Sequence, residues 1–426
     1  MKITNLKLIV YLIIPLILLG MSCSEKQKQV ERPEIILSKR EVVYDSETYN
    51  KLAQLWQKYY DEFPSEDAYA NWMYAARYAS LSDYENLLEN GLDKYPANPT
   101  ILYLASMIKH GAHDNLEGIH LLERAIELDP TYTDPWFSLV INYMDMNDEE
   151  KLDLALRKLL ESGAISDEIL DYSYNMLVSL ERDAILITNG DNDTYPGWIL
   201  TRILEFRPDV KIVNRSLLNT DWYPIYLVKT GSPNFVTNRE LKELRDNILE
   251  AIKSEKIKMP PTGPYSDTLI TKLIQAAERE GKPVYLAATL FLSDPIKKYW
   301  DSGRKLGLVT LVTAPKESYN NQFNKVVNIW LNEFRTAGMD SWKIKYAKTG
   351  DAGKRLMLNY PAGLSKLLDS INKYAPKKTL PLFNWYNKHL EPLIPIEHLS
   401  DMNKMWCDFN DVPEIRQWCK QMGFSE

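Results

Sequence analysis

Residues 183–223 predict a strand, a polar loop, a helix and a second strand in direct succession. An apolar run at 184–187 enters the polar turn 189–194, a helical pattern follows at 195–206, and a second apolar run occupies 210–213. Two strands joined through a helix form a parallel βαβ unit. We therefore predict that this part of the chain contributes two parallel strands to a sheet. The helix between them supplies the crossover connection that a parallel pair requires.

The alternation of helices and strands continues well beyond this unit. Helical patterns at 238–254 and 266–280 are followed by apolar runs at 283–288 and 306–312. This alternation predicts a Rossmann-like, mainly parallel α/β domain over 183–373, with helices on both faces of the sheet. The sequence contains neither a G-x-G-x-x-G turn nor a G-x-x-x-x-G-K-[ST] loop, so no nucleotide cofactor is predicted.

An internal repeat precedes this domain. At an offset of 34 residues, Leu-Leu-Glu at 87–89 aligns with Leu-Leu-Glu at 121–123, and Pro96 aligns with Pro130. This offset is the period of tetratricopeptide repeats, whose helix pairs stack because none can bury its apolar face alone. We therefore predict tetratricopeptide helices over 48–182 and an α + α/β fold class for the whole chain.

The first residues predict a lipoprotein of a bacterial envelope. A positively charged start precedes the apolar segment 8–20, which is shorter than the ~20 apolar residues that cross a bilayer. Cys23 follows small residues as in a relaxed lipoprotein cleavage site, so we expect a signal peptide at 1–22, lipidation of Cys23 and a tether at 23–47. The alternatives are an uncleaved anchor and an ordinary secreted protein with an unmodified cysteine. The expected location is the envelope of a Gram-negative bacterium, at the outer membrane rather than the inner one.

Charge and cysteine content restrict the class of protein further. The formal net charge is -7 at pH 7, with charges of both signs interspersed. Binding to nucleic acid requires a basic face, so we predict no nucleic-acid partner. In an oxidising envelope, Cys407 and Cys419 are expected to form a disulfide within a C-terminal appendage at 374–426. The alternative is a pair of free thiols.

Polar and charged side chains collect where the first two predicted strands end. Parallel strands point their carboxyl ends to the same edge of a sheet, and ligands of open α/β sheets usually bind at that edge. Asp193 or Thr194 is also placed to cap the following helix. The candidate ligand-binding residues are Asn189, Asp191, Asn192, Asp193, Thr194, Asn214, Asn219, Asp221 and Trp222.

This set of amides, carboxylates and one aromatic ring suits a sugar or another polyhydroxylated ligand. Asp191 and Asp193 are also candidate ligands of a divalent cation, because hard cations prefer carboxylate and amide oxygens. Three interpretations of the loop stay open. It is an active site with these two carboxyl groups as acid and base, a ligand or metal site without chemistry, or a structural loop.

Several runs of residues resemble one known family. They are NGDNDTYPGW at 189–198, then FRPDV, NRSLLNTDWY, KPVYLAATL, LGLVTLVTAPKE and KRLMLNYPAGLSKLLDSI. Together they are similar to the soluble C-terminal region of bacterial relatives of transmembrane protein 260, and the resemblance covers most of 183–373. Those relatives are membrane proteins counted among the GT-C-type protein O-mannosyltransferases, and their sugar transfer is assigned to an N-terminal transmembrane part. The resemblance therefore implies an envelope accessory domain, near protein O-glycosylation and without transferase activity.

Two functional hypotheses follow. In the first, the protein is a membrane-anchored adaptor that binds protein or peptide partners through its repeats, or a glycan, without a cofactor. In the second, it is a carbohydrate-active enzyme that uses the loop with Asp191 and Asp193. The sequence shows no recognisable nucleophile and no cofactor motif, which favours the first hypothesis.

Overall fold

The computed structural model describes residues 30–79, 81–108, 116–347, 350–409 and 411–424. The predicted signal peptide and Cys23 lie outside the described residues. The described chain divides into two compact units, one formed by residues 30–36 and 45–96 and the other by residues 37–44 and those from 97 onward. No helix in the described ranges is long and apolar enough to cross a membrane.

The described part of the first unit contains three helices. They are α1 (Ser46–Glu62), α2 (Glu66–Tyr78) and α3 (Tyr84–Lys94). Asp45 and Ser65 cap α1 and α2, because each side chain accepts a hydrogen bond from the backbone N–H three residues later. Trp56 of α1 is fully buried. Gly91 of α3 lies so close to the Tyr69 ring that a Cβ atom would come within 2.4 Å of Cε1, so a larger residue at position 91 would clash with the ring.

In the described part of the second unit, five helices precede the sheet, and the first four of them pack in sequence order. They are α4 (Pro99–Ser106), α5 (Leu116–Leu128), α6 (Asp134–Asp145), α7 (Glu149–Glu161) and α8 (Asp167–Val178). Helix α4 packs against α5, α5 against α6, and α6 against α7. Sequential packing of this kind is what a helical repeat region requires. Its identity as a tetratricopeptide array stays a prediction.

A five-stranded mixed sheet follows the helices in the second unit. Its strands are β1 (Ile185–Thr188), β2 (Lys211–Asn214), β3 (Val284–Ala287), β4 (Arg304–Lys305) and β5 (Val309–Leu311), in the spatial order β2-β1-β3-β5-β4. Strand β1 pairs in parallel with β2 and β3, whereas β5 runs antiparallel to both β3 and β4. The helical region and this sheet give the molecule both α and α/β parts.

The second half of the sheet differs from the prediction of a mainly parallel sheet. The apolar run 306–312 is not one strand, because Gly307 reverses the chain at a φ of 82° and the N–H of Leu306 donates to the carbonyl of Val309. Within this run, only Val309–Leu311 forms a strand. The hairpin joins this strand to β4, and the strand runs antiparallel to β3. A φ of this sign suits glycine, and the adjacent Trp330 ring leaves no room for a Cβ atom.

The first crossover helix also differs from its predicted bounds. Helix α9 begins at Asp191 and ends at Trp198, so it starts within the predicted polar turn. Pro196 therefore lies inside the helix. A π-helical turn, Ile199–Ile203, continues the helix, with the N–H of Leu204 donating to the carbonyl of Ile199 at 3.0 Å.

Most of the chain after β2 is helical. The helices are α10 (Tyr223–Lys229), α11 (Asn238–Lys253), α12 (Ser266–Arg279), α13 (Asp294–Ser302), α14 (Tyr319–Asn332), α15 (Ala337–Asp340), α16 (Trp342–Tyr346), α17 (Ala352–Met357), α18 (Asn359–Tyr374), α19 (Thr379–His389), α20 (Ile396–Lys404) and α21 (Pro413–Gln421). In the predicted C-terminal appendage, a disulfide joins Cys407 to Cys419. Helix α19 packs against α14, so this segment contacts the helices that precede it.

Part of the segment predicted as a tether is folded into the second unit. The N–H of Val43 donates to the carbonyl of Gly350 at 3.0 Å, and the N–H of Ala352 donates to the carbonyl of Glu41 at 3.0 Å. Val42 is buried. Residues 37–44 therefore belong to the folded second unit.

Candidate functional site

The sheet brings the carboxyl ends of three strands together. In the parallel register, Thr188 of β1 lies beside Asn214 of β2, and Ile187 lies beside Leu286 of β3. Residues that directly follow these strands therefore meet at one edge of the sheet. Helix α9 starts at this edge, so the sequence-predicted loop occupies the expected place.

Asp193 is the central buried group of the loop. Its carboxylate accepts hydrogen bonds from the backbone N–H of Asn189 at 2.8 Å and of Gly190 at 2.9 Å. The hydroxyl of Thr289, which follows β3, also donates to it. Burial raises the pKa of the Asp193 carboxyl above its ordinary value, although these hydrogen bonds oppose the shift. The side chain thus ties the loop after β1 to the loop after β3.

A second buried network connects β1, α9 and β2. The hydroxyl groups of Thr188 and Thr194 are hydrogen-bonded at 2.7 Å, and the amide of Asn214 donates to Thr194 Oγ1 at 3.0 Å. The backbone N–H of Asn214 donates to the hydroxyl of Tyr223 at 3.0 Å, and its side-chain oxygen accepts from the N–H of Leu217. Thr194 and Asn214 therefore hold structural elements together.

Two further candidate amides, those of Asn189 and Asn219, also bond the backbone. Asn189 Oδ1 accepts from the N–H of Phe291 at 3.1 Å. Asn219 Oδ1 accepts from the N–H groups of Tyr265 and Ser266, at 2.9 and 3.1 Å, where α12 begins. Asn219 thereby satisfies donors at the start of that helix.

Asp191 and Asn192 are the more accessible residues of the loop. Asp191 is exposed and Asn192 is half-buried. Arg40 approaches Asp191 with an Nη2 to Oδ2 distance of 3.4 Å, and its guanidinium lies 4.3 Å from the centre of the Phe137 ring. Arg40 comes from the segment predicted as a tether, which is why sequence reasoning did not place it here.

Asp221 and Trp222 lie beside a different group of residues. Asp221 forms an ion pair with Arg245 of α11, and both residues line a cavity of about 360 Å³ that also contacts Tyr265. Trp222 is half-buried and makes an edge contact with the Tyr223 ring, with 5.4 Å between ring centres. The structure shows no contact of these two residues with the buried carboxylate of Asp193.

Sequence reasoning missed a buried ion pair at the same edge. Arg215 directly follows the candidate Asn214, is 2% exposed and pairs with Asp267 of α12. Its guanidinium also donates to the carbonyl of Phe291 and to Ser293 Oγ. Asn214 was selected because it lies at the end of a predicted strand. Arg215 is the next residue in the chain, so the same argument could have identified it.

The arrangement does not favour a metal centre at the loop. Within the described residues, no group of three or more histidine, cysteine, aspartate or glutamate side chains is arranged to hold a metal ion. The Asp193 carboxylate is committed to three hydrogen bonds, and that of Asp191 faces Arg40. A hard cation requires several oxygen ligands that point at one place.

We expect Asp193→Asn to lower the free energy of unfolding by about 1–3 kcal/mol, because an amide would direct a donor at groups that already donate. The loss should be larger at about pH 4 than at about pH 8. The folded-state pKa of Asp193 is raised, so the folded wild type binds this proton more tightly than the unfolded chain does. That contribution disappears as pH rises through the folded-state pKa. Urea unfolding of both proteins at the two pH values measures the difference.

Asp191→Asn is the matched control for this prediction. Its carboxylate is exposed and its partner is 3.4 Å away, so the expected loss is about 0–1 kcal/mol. A loss for Asp193→Asn that equals the control, or that grows with pH, would contradict the proposed role of the buried carboxylate.

Comparison with known proteins adds one relationship. A family model described as TMEM260-associated domain 2 matches residues 169–230, which span most of α8 and continue through β1, α9, β2 and α10. No curated protein matches the chain. The similar runs between 282 and 371 lie outside the matched segment. The match supports a relationship to TMEM260-type proteins for the part of the chain that carries the candidate loop.

Proposed function

We propose that the protein is a membrane-anchored binding module of the bacterial envelope, which holds a protein or glycan partner as an accessory to protein O-glycosylation. In this proposal, Cys23 carries the lipid anchor and the helical region binds protein or peptide partners. The α/β part contributes a binding surface without catalysing a reaction.

One observation carries the choice of a binding module over an enzyme. The polar side chains at the sheet edge bond to each other and to the backbone, as Asp193, Thr194 and Asn214 do. A general acid or base must reach the proton that it transfers, directly or through one water molecule. Asp193 is 3% exposed and its carboxylate accepts three hydrogen bonds, so it is poorly placed for that role.

The second candidate function is a carbohydrate-active enzyme that uses the loop. Its support is the raised pKa of Asp193, since perturbed carboxyl groups occur often at active sites. Asp191 would then act as the second carboxyl group. This candidate requires that Asp193 become accessible to a substrate.

The relationship of residues 169–230 to a TMEM260-associated domain supports the link to O-glycosylation. It concerns the α/β part and the helix before it. The lipid anchor rests on the sequence pattern around Cys23. Both inferences can be tested with one tagged full-length chain.

The test expresses the full chain in a Gram-negative host with an alkyne analogue of palmitate. We expect labelled protein at outer-membrane density, and loss of both label and membrane association in Cys23→Ser. Envelope crosslinking should then capture a glycoprotein or protein partner whose glycan is unchanged after incubation with the purified protein. Asp191→Asn should retain this capture.

Two results would overturn the proposal. The first is sugar release or transfer by wild type that Asp191→Asn abolishes at an unchanged melting temperature, which would establish the enzyme. The second is an unlabelled chain that captures no partner, which would remove both the anchor and the binding role.

A further inference from the structure

A cavity of about 190 Å³ lies among α6, the π-helical turn, β2 and α10, away from the predicted loop. The aromatic residues Trp198, Tyr223 and Tyr226 form part of its wall. Every wall residue except Met144 lies between 198 and 227, within the segment that matches the TMEM260-type model. The cavity is therefore built almost wholly by the family-related segment.

The π-helical turn places two of its residues on the cavity. Thr201 and Arg202 lie within Ile199–Ile203 and line the wall. Turns of this kind are rare and occur frequently at functional sites, because the wider backbone ring changes the direction of the side chains. This observation is independent of the cavity itself.

Cationic groups of the wall retain unused hydrogen-bond donors. Asp153 and Glu149 bind Nε and Nη2 of Arg202, whereas its Nη1 makes no hydrogen bond to any residue in the described part of the chain. Lys211 donates to the carbonyl of Thr230 at 2.7 Å, and no described carboxylate lies within ion-pair distance of its Nζ. Arginine has five N–H donors and lysine three, so both groups can bind an additional acceptor.

The burial of Lys211 without a carboxylate in ion-pair contact favours an anionic ligand. Burial lowers the pKa of the Lys211 ammonium and the nearby Arg202 lowers it further, whereas the more distant Glu149 carboxylate raises it. A bound anion would oppose both effects by stabilising the charged lysine. Asp209 also lines the cavity, but Arg207 binds its carboxylate through Nε and Nη2, each at 2.9 Å. The Asp209 carboxylate is therefore directly paired, whereas the Lys211 ammonium has no direct ion pair within the described residues.

We infer that this cavity binds a single sugar ring that carries one carboxylate or phosphate group. The inference rests on the proposed function and identifies the chemical class of its glycan ligand. The volume is below the ~300–1,000 Å³ of typical ligand pockets, which restricts the ligand to about one ring. Aromatic rings offer apolar area to the ring carbons, and the Tyr226 hydroxyl can accept a hydrogen bond from the sugar.

A larger neighbouring cavity shares two wall residues, Asp209 and Lys211, and provides a control. It has a volume of about 440 Å³ and is lined by Lys211, Ser232 and Lys282 among others. Tyr226 lines only the smaller cavity, and Lys282 lines only the larger one. Variants of these two residues therefore distinguish the two locations.

The test titrates the full-length chain calorimetrically with glucuronate, glucose 6-phosphate, glucose and inorganic phosphate. We expect glucuronate, glucose 6-phosphate or both to bind at least about tenfold more tightly than glucose or phosphate alone. Lys211→Met and Tyr226→Leu should each weaken this binding about tenfold, which corresponds to about 1.4 kcal/mol. Lys282→Met should leave it unchanged. Circular dichroism and melting temperature establish that each variant is folded, and Lys211→Gln replaces Lys211→Met if the latter does not fold.

Three outcomes would overturn the inference. They are an absence of binding by both acidic sugars, equal binding of phosphate alone, and a loss caused by Lys282→Met but not by Tyr226→Leu. The partner-capture experiment distinguishes this failure from failure of the proposed function. Capture that persists while both acidic sugars fail to bind would reject only the cavity assignment.

Discussion

Replacement of Asp267 by alanine is expected to lower the free energy of unfolding by about 3–5 kcal/mol, because it leaves a buried guanidinium without its carboxylate. Arg215 is 2% exposed, and its Nε atom has no hydrogen-bond partner among the described residues. The remaining acceptors, the carbonyl of Phe291 and Ser293 Oγ, are neutral. They cannot compensate for the loss of the negative charge. Chemical denaturation of the purified chain measures this change.

Asp301→Ala provides the control, because the Lys297–Asp301 pair lies on a helix surface with both side chains more than half exposed. Its expected cost is about 0.3–0.5 kcal/mol. The double variant Arg215→Met/Asp267→Ala should recover part of the stability lost in Asp267→Ala, since both charges are then removed. Equal losses for Asp267→Ala and Asp301→Ala would refute the importance of the buried pair.

Removal of the disulfide is expected to have the second-largest effect. The double variant Cys407→Ala/Cys419→Ala should lose about 2–4 kcal/mol of unfolding free energy, because the unfolded chain gains conformational freedom. The bridge spans a sequence separation of 12, which is close to the ~15-residue loop for which about 3 kcal/mol is expected. Alanine avoids placing a hydroxyl group at Cys419, which is buried. Denaturation with urea under oxidising conditions measures the loss.

Reduced wild-type protein separates the bond from the packing of the sulfur atoms. It keeps both side chains, so a loss like that of the double variant would assign the effect to the covalent link. If reduction left the unfolding curve unchanged, the stabilising role of the bridge would be rejected.

The sequence pattern of the βαβ unit predicted its two strands well, because each buried strand is a run of adjacent apolar residues that can be seen in the sequence. Both apolar runs became strands within one residue of their predicted starts, at Ile185 and Lys211. The helix start was wrong by four residues, because Asp193 accepts from the N–H groups of Asn189 and Gly190 and so caps the helix early. The direction of β5 depends on a turn at Gly307. The run 306–312 is mostly apolar, so its pattern did not indicate this turn.

The sequence predicted which polar residues lie at the sheet edge, but it did not predict their hydrogen bonds and ion pairs. The sequence places Asn189, Asp193 and Asn214 at strand ends, and the sheet brings those ends together. It does not reveal that Thr289 would donate to Asp193, or that Arg40 would approach Asp191. These contacts join residues far apart in the chain. The interpretation of a polar cluster as ligand-binding or structural depends on such contacts.

The far edge of the sheet restricts how any partner can attach. Strand β4 has only two residues, Arg304 and Lys305, and both are basic. Short, charged edge strands resist pairing with a strand from another chain, which protects a protein from edge-to-edge aggregation. A peptide that binds by adding a strand would therefore have to use the opposite edge at β2, or bind through side chains alone.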